Sequence, residues 1–364
     1  MDETMKNIVV LATGGTIAGA GEQGKDIGYK SGSIEAQMLI DAIPELKNVA
    51  NIFVEQVCNI NSDDITSEIW ISLALRIKEL SENGFGEMHE NVDGFVVMHG
   101  TDTMEETAFF LSLVLNATKP VVLTGSMRPA TAAEPDGPAN LLFAVKSVAE
   151  LSNRRVILSN IEGSRDHHSS FAKSMPVFVA FAGELMDARS VQKIHANDLD
   201  AFAEVDNSSI ILSEVEGSLE LSSRTQFRDH HLVPSFDVSA LHSLPNVAVL
   251  YFNADADAEL VRFAAERSAG LVIAGAGAGE FSQSWASAIT EVVAKKIPVV
   301  ISTRINRGCI VPEQLLVPST IAAYGLPPAK AAVLLRLALT VTKDIAKIQD
   351  FFLCTSVILE SEAR

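Results

Sequence analysis

The segment Ile8-Val9-Val10-Leu11-Ala12 runs directly into Thr13-Gly14-Gly15-Thr16-Ile17-Ala18-Gly19 near the start of the chain. A continuous apolar run rich in valine and isoleucine is typical of a strand that is buried on both faces of a parallel sheet. Glycines and hydroxyls directly after such a strand are typical of a turn whose backbone N–H groups approach a ligand closely. The segment therefore predicts an α/β protein with a ligand site at the carboxyl edge of its sheet.

Similar apolar runs recur along the chain, and helical patterns lie between them. The further runs are Phe95–Met98, Val121–Leu123, Val177–Phe181, Val247–Phe252, Leu271–Ala274 and Val299–Ile301. The segment Ser67–Asn83 is an example of a helical pattern, since its apolar side chains recur every three to four residues. Alternation of strands and helices predicts open, mainly parallel sheets.

A polar stretch at Glu204–Pro234 interrupts this alternation. We therefore predict two α/β domains of ordinary size. The larger, N-terminal domain covers residues 1–205, a linker covers 206–234, and the smaller C-terminal domain covers 235–364.

Composition excludes several classes of partner. The 364 residues include 28 Lys and Arg against 46 Asp and Glu, a net charge of −18, which disfavours nucleic acid and anionic membrane surfaces. No apolar run is long enough to span a membrane. The opening residues lack the pattern of a secretory signal, so we expect a cytoplasmic protein, although a chain whose leader had been removed would look the same. Cys58, Cys309 and Cys354 are far apart in the sequence, which predicts neither a disulfide framework nor a cysteine zinc site.

Three strand ends combine glycine with hydroxyl groups. The first carries Gly15 and Thr16, the second Thr101 and Asp102, and the third Ser126. Each hydroxyl alone could be a helix cap, but several of them at one sheet edge favour a binding or catalytic site. Neither a dinucleotide fingerprint nor a P-loop is present in the sequence.

A threonine hydroxyl at such an edge needs a base to become a nucleophile. Asp102 directly follows Thr101, and a lysine of lowered pKa beside them could accept the hydroxyl proton. The pattern of the sequence does not identify this lysine.

Two long motifs, Ala12–Gly19 and His99–Thr107, make the chain resemble the bacterial L-asparaginase and glutaminase-asparaginase family. The resemblance continues through Val57–Asp64, Ser126–Pro129, Asp136–Pro138, Pro234–Pro245 and Lys330–Phe351. It implies a larger N-terminal domain with a mainly parallel sheet and a smaller, flavodoxin-like C-terminal domain. It also implies that L-asparagine is hydrolysed to L-aspartate and ammonia through a threonine nucleophile and an acyl-enzyme, without a cofactor or metal ion.

The resemblance implies roles for the residues that handle the reacting amide. Thr16 matches the nucleophile, and Tyr29 matches the loop tyrosine that orients it. Thr101 matches a second threonine that works with a lysine. The window Asp187–Lys193 keeps the spacing of the family motif and assigns that lysine to Lys193, whereas the competing window Arg165–Ser169 has serine there.

This assignment implies an insertion within residues 152–181. The insertion carries Arg165–His168, which could bind a metal, cover the site or form a surface excursion. If Val156–Leu158 is the strand, the insertion follows its active-site end. If Val177–Phe181 is the strand, the insertion lies at the far end.

The resemblance also implies which residues contact the substrate. Ser62 matches the serine that holds the α-carboxylate, and Asp102 matches the carboxylate that receives the α-ammonium. Backbone groups at Gly15 and Ser126 match the first and third strand ends, which face the side-chain amide. Asp63 stands where glutamine is frequent in the glutaminase-active branch; it could strengthen ammonium binding, face outward, or cap the following helix.

The resemblance also implies a homotetramer built from intimate dimers, in which a neighbouring subunit closes the site. Asp255 stands near the asparagine that the neighbour contributes, and Glu313 is offset from the family's loop glutamate. Residues 353–364 extend past the family pattern. Two alternatives stay open: a related amidase for glutamine or a D- or N-substituted asparagine, and a non-catalytic amino-acid binder.

Overall fold

The computed structural model describes residues 5–25, 30, 32–86, 90–115, 119–161, 177–205, 210–215, 218–223 and 234–355. The chain divides into two compact units, Met1–His230 and His231–Arg364. No helix within these described residues is both long and apolar enough to cross a bilayer. The described residues also hold no group of three or more His, Cys, Asp and Glu side chains that could bind a metal ion.

The first unit is built on a six-stranded sheet. Its strands are β1 (Lys6–Gly14), β2 (Ala50–Ile60), β3 (Gly94–Met98), β4 (Val121–Thr124), β5 (Val177–Phe181) and β6 (Glu184–Asp187). Their order in the sheet is β2-β1-β3-β4-β5-β6, and only the last pairing, β5 with β6, is antiparallel. The buried apolar runs therefore form the parallel sheet that the sequence predicts, with the carboxyl ends of β1, β3 and β4 at one edge.

Among the described residues, four α-helices accompany this sheet. They are α1 (Ala36–Asp41), α2 (Ser67–Asn83), α3 (Met104–Val114) and α4 (Gly137–Ile161). Helices α1 and α4 pack against one face through a core that includes Ile8, Val10 and Val145. Helix α3 contacts β4, β5 and α2, and the Trp70 ring stacks on the Phe110 ring. The predicted helix Ser67–Asn83 is confirmed.

Strand β2 is absent from the sequence prediction. It pairs with β1 at the edge of the sheet, and most of its residues are only half-buried. Such an edge strand mixes polar and apolar residues, so it lacks the continuous apolar run by which the other strands are recognised.

The alternatives for the fifth strand are resolved. Val177–Phe181 is the strand, whereas Val156–Leu158 belongs to α4. The alternative that takes Val156–Leu158 as the strand is therefore wrong. Arg165–His168 lie outside the described residues.

Two short hairpins complete the first unit. One pairs β7 (Val191–Lys193) with β8 (Phe202–Glu204), and the other pairs β9 (Ile210–Val215) with β10 (Ser218–Ser223). The second hairpin occupies part of the predicted linker 206–234, so the first compact unit extends past residue 205. Apolar residues on either side of Glu216-Gly217 are a hairpin signal that the polarity of the flanking segments obscures.

The second unit has an all-parallel, four-stranded sheet. Its strands are β11 (Val247–Tyr251), β12 (Gly270–Gly275), β13 (Val299–Thr303) and β14 (Ile321–Ala322), in that order. Its helices are α5 (Glu259–Ala265), α6 (Gln283–Ala294), α7 (Pro328–Val341) and α8 (Ile345–Thr355). Trp285 is fully buried in its core, and its indole N–H donates to the Ala256 carbonyl at 2.9 Å. The predicted two-domain α/β architecture is confirmed.

Candidate active site

The turn that carries Thr16 depends on two glycines. The register between β1 and β2 shifts between Ala12 and Gly14, and Gly14 and Gly15 take φ values of 108° and 83°. A Cβ on Gly15 would lie 2.6 Å from the Gly100 nitrogen and Cα. Only glycine permits both this conformation and this approach, so the first strand end lies directly against the second. Thr16 then begins a short 3₁₀ turn and is half-buried.

Both backbone groups of Gly15 are already hydrogen-bonded within the protein. Its N–H donates to the Ile60 carbonyl at 3.0 Å, and its carbonyl accepts from the N–H groups of Ala18 and Gly32 at 3.3 and 3.2 Å. Gly15 was expected to contact the substrate amide through its backbone. These bonds and the close approach to Gly100 show that Gly15 shapes the turn that presents Thr16. Its contact with the substrate amide stays a prediction.

Several hydrogen bonds attach the loop beyond Thr16. Ala20 and Lys30 pair through two antiparallel backbone hydrogen bonds of 3.0 and 2.9 Å. Farther out, the Gly24 N–H donates to the Thr131 carbonyl at 2.8 Å. Tyr29, the predicted partner of Thr16, lies outside the described residues.

The second strand end brings Ser62 beside Thr101 and Asp102. The backbone N–H of Asp102 donates to the Ser62 hydroxyl at 3.2 Å, and the Thr103 hydroxyl donates to the Ser62 carbonyl at 2.6 Å. A Cβ on Gly100 would come within 2.7 Å of the Ser62 oxygen, so this approach also requires glycine. Ser62 and Thr101 are buried, whereas the Asp102 carboxylate is exposed.

Lys193 reaches the same strand end from the β7–β8 hairpin. Its ammonium group donates to the Thr101 hydroxyl at 2.9 Å and to the Asp102 carboxylate at 2.6 Å. The lysine side chain is only 16% exposed, so its aliphatic stem is buried. The lysine nitrogen thus contacts both a hydroxyl and a carboxylate, which is an arrangement suited to moving a proton.

Glu105, in the first turn of α3, holds the backbone of this lysine. Its carboxylate accepts from the Lys193 N–H at 2.6 Å. Glu105 has no predicted role, although it lies within the motif His99–Thr107. The sequence pattern does not indicate this contact, because Glu105 and Lys193 are 88 residues apart.

His99 is a second residue without a predicted role, and it lies under the site. The ring is completely buried, and burial lowers the pKa of His99 to about 4, so the imidazole is neutral at pH 7. Nδ1 lies 2.7 Å from the Gly100 carbonyl and must donate to it, so Nε2 accepts from the Thr107 hydroxyl at 2.9 Å. Thr107 in turn accepts from the Trp70 indole N–H at 2.8 Å. A chain of hydrogen bonds, each donated in the same direction, thus runs from Trp70 in α2 through Thr107 in α3 and the His99 ring to the second strand end.

The third strand end brings Ser126 close to the second. Ser126 follows β4 and is 1% exposed. A Cβ on Gly125 would lie 2.4 Å from the His99 carbonyl, so the two strand ends are in direct backbone contact. The carboxyl edge therefore collects Thr16, Ser62, Thr101 and Ser126 in the first unit, with Lys193 added from the hairpin.

Three other predicted positions have simpler surroundings. Asp63 is exposed in the turn Ser62–Asp64, and the N-cap of α2 is Thr66, so Asp63 does not cap that helix. Asp255 belongs to the second unit, where it is exposed and has a φ of 61°. Glu313 is exposed in a 3₁₀ turn of the same unit.

Comparison with known proteins agrees with the order of these elements. The family model described as "Asparaginase, N-terminal" matches residues 7–226, and that described as "Glutaminase/Asparaginase C-terminal domain" matches residues 246–352. The chain is 37% identical to "L-asparaginase 2" of Bacillus subtilis (strain 168), covering 96% of this chain and 86% of that protein. It is 36% identical to "Probable L-asparaginase periplasmic" of Haemophilus influenzae, covering 96% and 93%. It is 33% identical to "Glutaminase-asparaginase" of Pseudomonas fluorescens, covering 96% and 90%.

A solved structure is similar over nearly the same length. The crystal structure of the probable cytoplasmic L-asparaginase from Campylobacter jejuni matches with a TM-score of 0.80 and 36% sequence identity, covering 96% of this chain and 99% of that one. Both family models match in the expected order, and the similarity extends over both units. The chain therefore belongs to the asparaginase family.

Proposed function

We propose that this protein is an L-asparaginase that converts L-asparagine and water to L-aspartate and ammonia. The observation that carries the proposal is the contact of the Lys193 ammonium with Thr101 and Asp102, at 2.9 and 2.6 Å. This contact lies at the sheet edge that also carries the turn of Thr16, and no part of the scheme needs a metal or cofactor.

In the proposed reaction, the Thr16 hydroxyl attacks the carbon of the side-chain amide. A bond forms between the threonine oxygen and that carbon, and the C–N bond breaks after the nitrogen has gained a proton, which releases ammonia. Backbone donors of the turns after β1 and β4 stabilise the oxyanion. Water then cleaves the aspartyl ester and restores the threonine hydroxyl.

Thr101, Lys193 and Asp102 handle the protons of both steps. A lysine can accept a hydroxyl proton only when its amine is neutral, and the neighbouring hydroxyl gives it a route to the reacting centre. Tyr29 orients Thr16 in this proposal.

The head group of the substrate binds at the second strand end. The Ser62 hydroxyl holds the α-carboxylate, and the exposed Asp102 carboxylate receives the α-ammonium. A ligand without either charged group would leave a polar partner unsatisfied, which disfavours simple amides.

A related amide is the second candidate, and Asp63 favours it. This exposed carboxylate stands directly after Ser62, where it adds negative charge beside the head-group site. Glutamine or a D- or N-substituted asparagine would meet different charges there. A non-catalytic binder is disfavoured, because binding alone does not require a nucleophile beside a proton-handling lysine.

We further propose a homotetramer built from intimate dimers, with Asp255 contributing to a neighbour's site, and a cytoplasmic location. Sedimentation at several protein concentrations tests the assembly: a monomer at all of them would contradict it. Fractionation of the producing cells tests the location.

Ammonia release by the purified chain tests the function. We expect L-asparagine to have the highest kcat/KM in a panel with L-glutamine, D-asparagine and N-substituted asparagines. Thr16→Ala should abolish release, whereas Thr290→Ala, an exposed threonine in α6, should not. A best substrate other than L-asparagine favours the second candidate. Equal rates for Thr16→Ala and the parent would refute the assignment of the nucleophile.

A further inference from the structure

The motif Asp136-Gly137-Pro138, which the proposed reaction leaves without a role, binds the turn that carries Ser126. One carboxylate oxygen of Asp136 accepts from the Met127 N–H, and the other accepts from the Arg128 N–H, both at 2.9 Å. Because the two oxygens of one carboxylate accept from two successive backbone N–H groups, they hold both peptide groups in a fixed orientation.

Asn140 holds the other side of the same turn. It lies four residues after Asp136, one helical turn along α4, and is 4% exposed. Its amide nitrogen donates to the Gly125 carbonyl at 3.0 Å and to Asp136 at 3.2 Å. Its amide oxygen accepts from the Ala182 N–H at 3.0 Å. These three contacts set the orientation of the amide and tie the turn after β4 to the end of β5.

The backbone of Ser126 itself is not held by these bonds. Its side-chain hydroxyl donates to the Arg128 carbonyl at 2.7 Å, which closes the turn on itself. Within the described part of the chain, the Ser126 N–H and C=O form no hydrogen bond. Ser126, which is 1% exposed, thus presents one donor and one acceptor. Such groups are costly to bury unless a ligand satisfies them.

The start of α4 also touches the turn of the nucleophile. A Cβ on Gly137 would lie 2.9 Å from Ile17 Cγ1 and 3.5 Å from the Ser126 Cβ. The residue after Thr16 and the third strand end therefore pack on the same helical turn. A cavity of about 100 Å³ lined by Ile17, Gly137 and Leu141 adjoins this contact, so Ile17 has room to move aside. Substitution of the hydrogen-bonding residues Asp136 and Asn140 is for this reason a sharper test than substitution of Gly137.

We infer that Asp136 and Asn140 are positioning residues that hold the Ser126 backbone against the side-chain amide of the substrate. The inference rests on the proposed function. The amino-acid head group binds at a different strand end, through Ser62 and Asp102. Loss of the support should therefore slow the reaction of bound substrate and leave head-group binding intact, since small misplacements cost up to about 100-fold in rate.

The test uses two substitutions that keep the number and branching of side-chain heavy atoms, Asp136→Asn and Asn140→Leu, in the full chain. Asp136→Asn turns one acceptor into a donor that faces a backbone N–H, and Asn140→Leu removes all three contacts of the amide. Ser147→Ala is the matched control, because Ser147 is also buried in α4 but bonds only to Phe143 of the same helix.

We expect kcat for L-asparagine to fall about 10- to 100-fold in both variants, with KM changed by less than about threefold. The dissociation constant of L-aspartate should stay within about twofold of the parent value. The Met127 and Arg128 amides should exchange faster with solvent in Asp136→Asn. Ser147→Ala should match the parent in every one of these measurements.

A kcat for both variants equal to that of Ser147→Ala would overturn the inference, and so would a loss of L-aspartate affinity as large as the loss of kcat. If Asn140→Leu does not fold, Asp136→Asn alone tests the inference. A lower kcat in that variant would support the inference, and an unchanged kcat would overturn it. An inactive parent would overturn the proposed function and this inference together, whereas an active parent with unaffected variants would overturn the inference alone.

Discussion

Replacement of Lys193 by methionine tests the centre of the proposed mechanism. Methionine keeps most of the buried aliphatic stem and removes the ammonium that lies 2.9 Å from Thr101 and 2.6 Å from Asp102. The Asp102 side chain is 67% exposed, so this ion pair contributes less than about 1 kcal/mol to the free energy of unfolding. The variant should therefore fold.

The effect on the reaction should be much larger than the effect on stability. Loss of a positioned proton-transfer group lowers kcat by about 10²- to 10⁴-fold. That range corresponds to about 2.7–5.4 kcal/mol in the activation barrier. Because the two energies differ so widely, lost activity cannot be attributed to unfolding when the thermal transition barely moves.

Lys193→Arg separates charge from proton transfer. Arginine preserves the positive charge beside Asp102 but does not release its proton near neutral pH. We expect Lys193→Arg to keep the stability of the parent and to lose nearly as much kcat as Lys193→Met. The assay is ammonia release under saturating L-asparagine, with thermal unfolding and L-aspartate binding measured in parallel. A kcat for Lys193→Met within about tenfold of the parent would refute the reasoning.

Three further predictions concern the residues around this pair. Burial lowers the pKa of His99 from 6.5 to about 4. As pH falls, the unfolded chain therefore takes up the His99 proton before the folded chain does. The free energy of unfolding should fall by about 3 kcal/mol as pH drops from 6.5 to 4. In urea titrations across that range His99→Gln should lose less stability than the parent, and identical losses would contradict the assignment. Gly15→Ala should destabilise the protein by about 2 kcal/mol or more and reduce kcat, because the residue is left-handed and its Cβ would meet Gly100. Gly24→Ala, with a φ of 82° and no atom within 4 Å of the added Cβ, is its control, and an equal loss in both would exclude the close approach as the cause. Glu105→Ala should lower kcat more than Glu105→Gln, since glutamine keeps an acceptor for the Lys193 N–H; equal kcat values would argue against this contact as a support for the lysine.

Much of the fold follows from local patterns in the sequence. Buried strands of a parallel sheet are continuous in apolar character, so β1, β3 and β4 are recognised without any tertiary information. Their carboxyl ends meet at one edge by topology alone, which brings Gly15, Thr101 and Ser126 together. Edge strand β2 and the three-residue strands of the β7–β8 hairpin escape such patterns, because they are half-exposed or too short to show a period.

The supporting contacts of the site do not follow from local patterns. Lys193 and Thr101 are 92 residues apart, and only the family resemblance distinguishes this lysine from the others. The roles of His99, Glu105 and Asp136 appear only when hydrogen-bond partners are known. Such bonds depend on three-dimensional direction, and residue spacing does not encode it.

The β7–β8 hairpin has a consequence for the order in which the protein becomes active during synthesis. In the proposed mechanism, the nucleophile turn, the strand ends that bind substrate and the side chains that hold the Ser126 turn all lie within the chain up to Asn140. The amine arrives later, on a hairpin that closes at Phe202–Glu204. A nascent chain shorter than this can form much of the pocket but cannot move the proton. If Lys193 has its proposed role, catalysis therefore begins only after the chain through Glu204 has been synthesised and has folded.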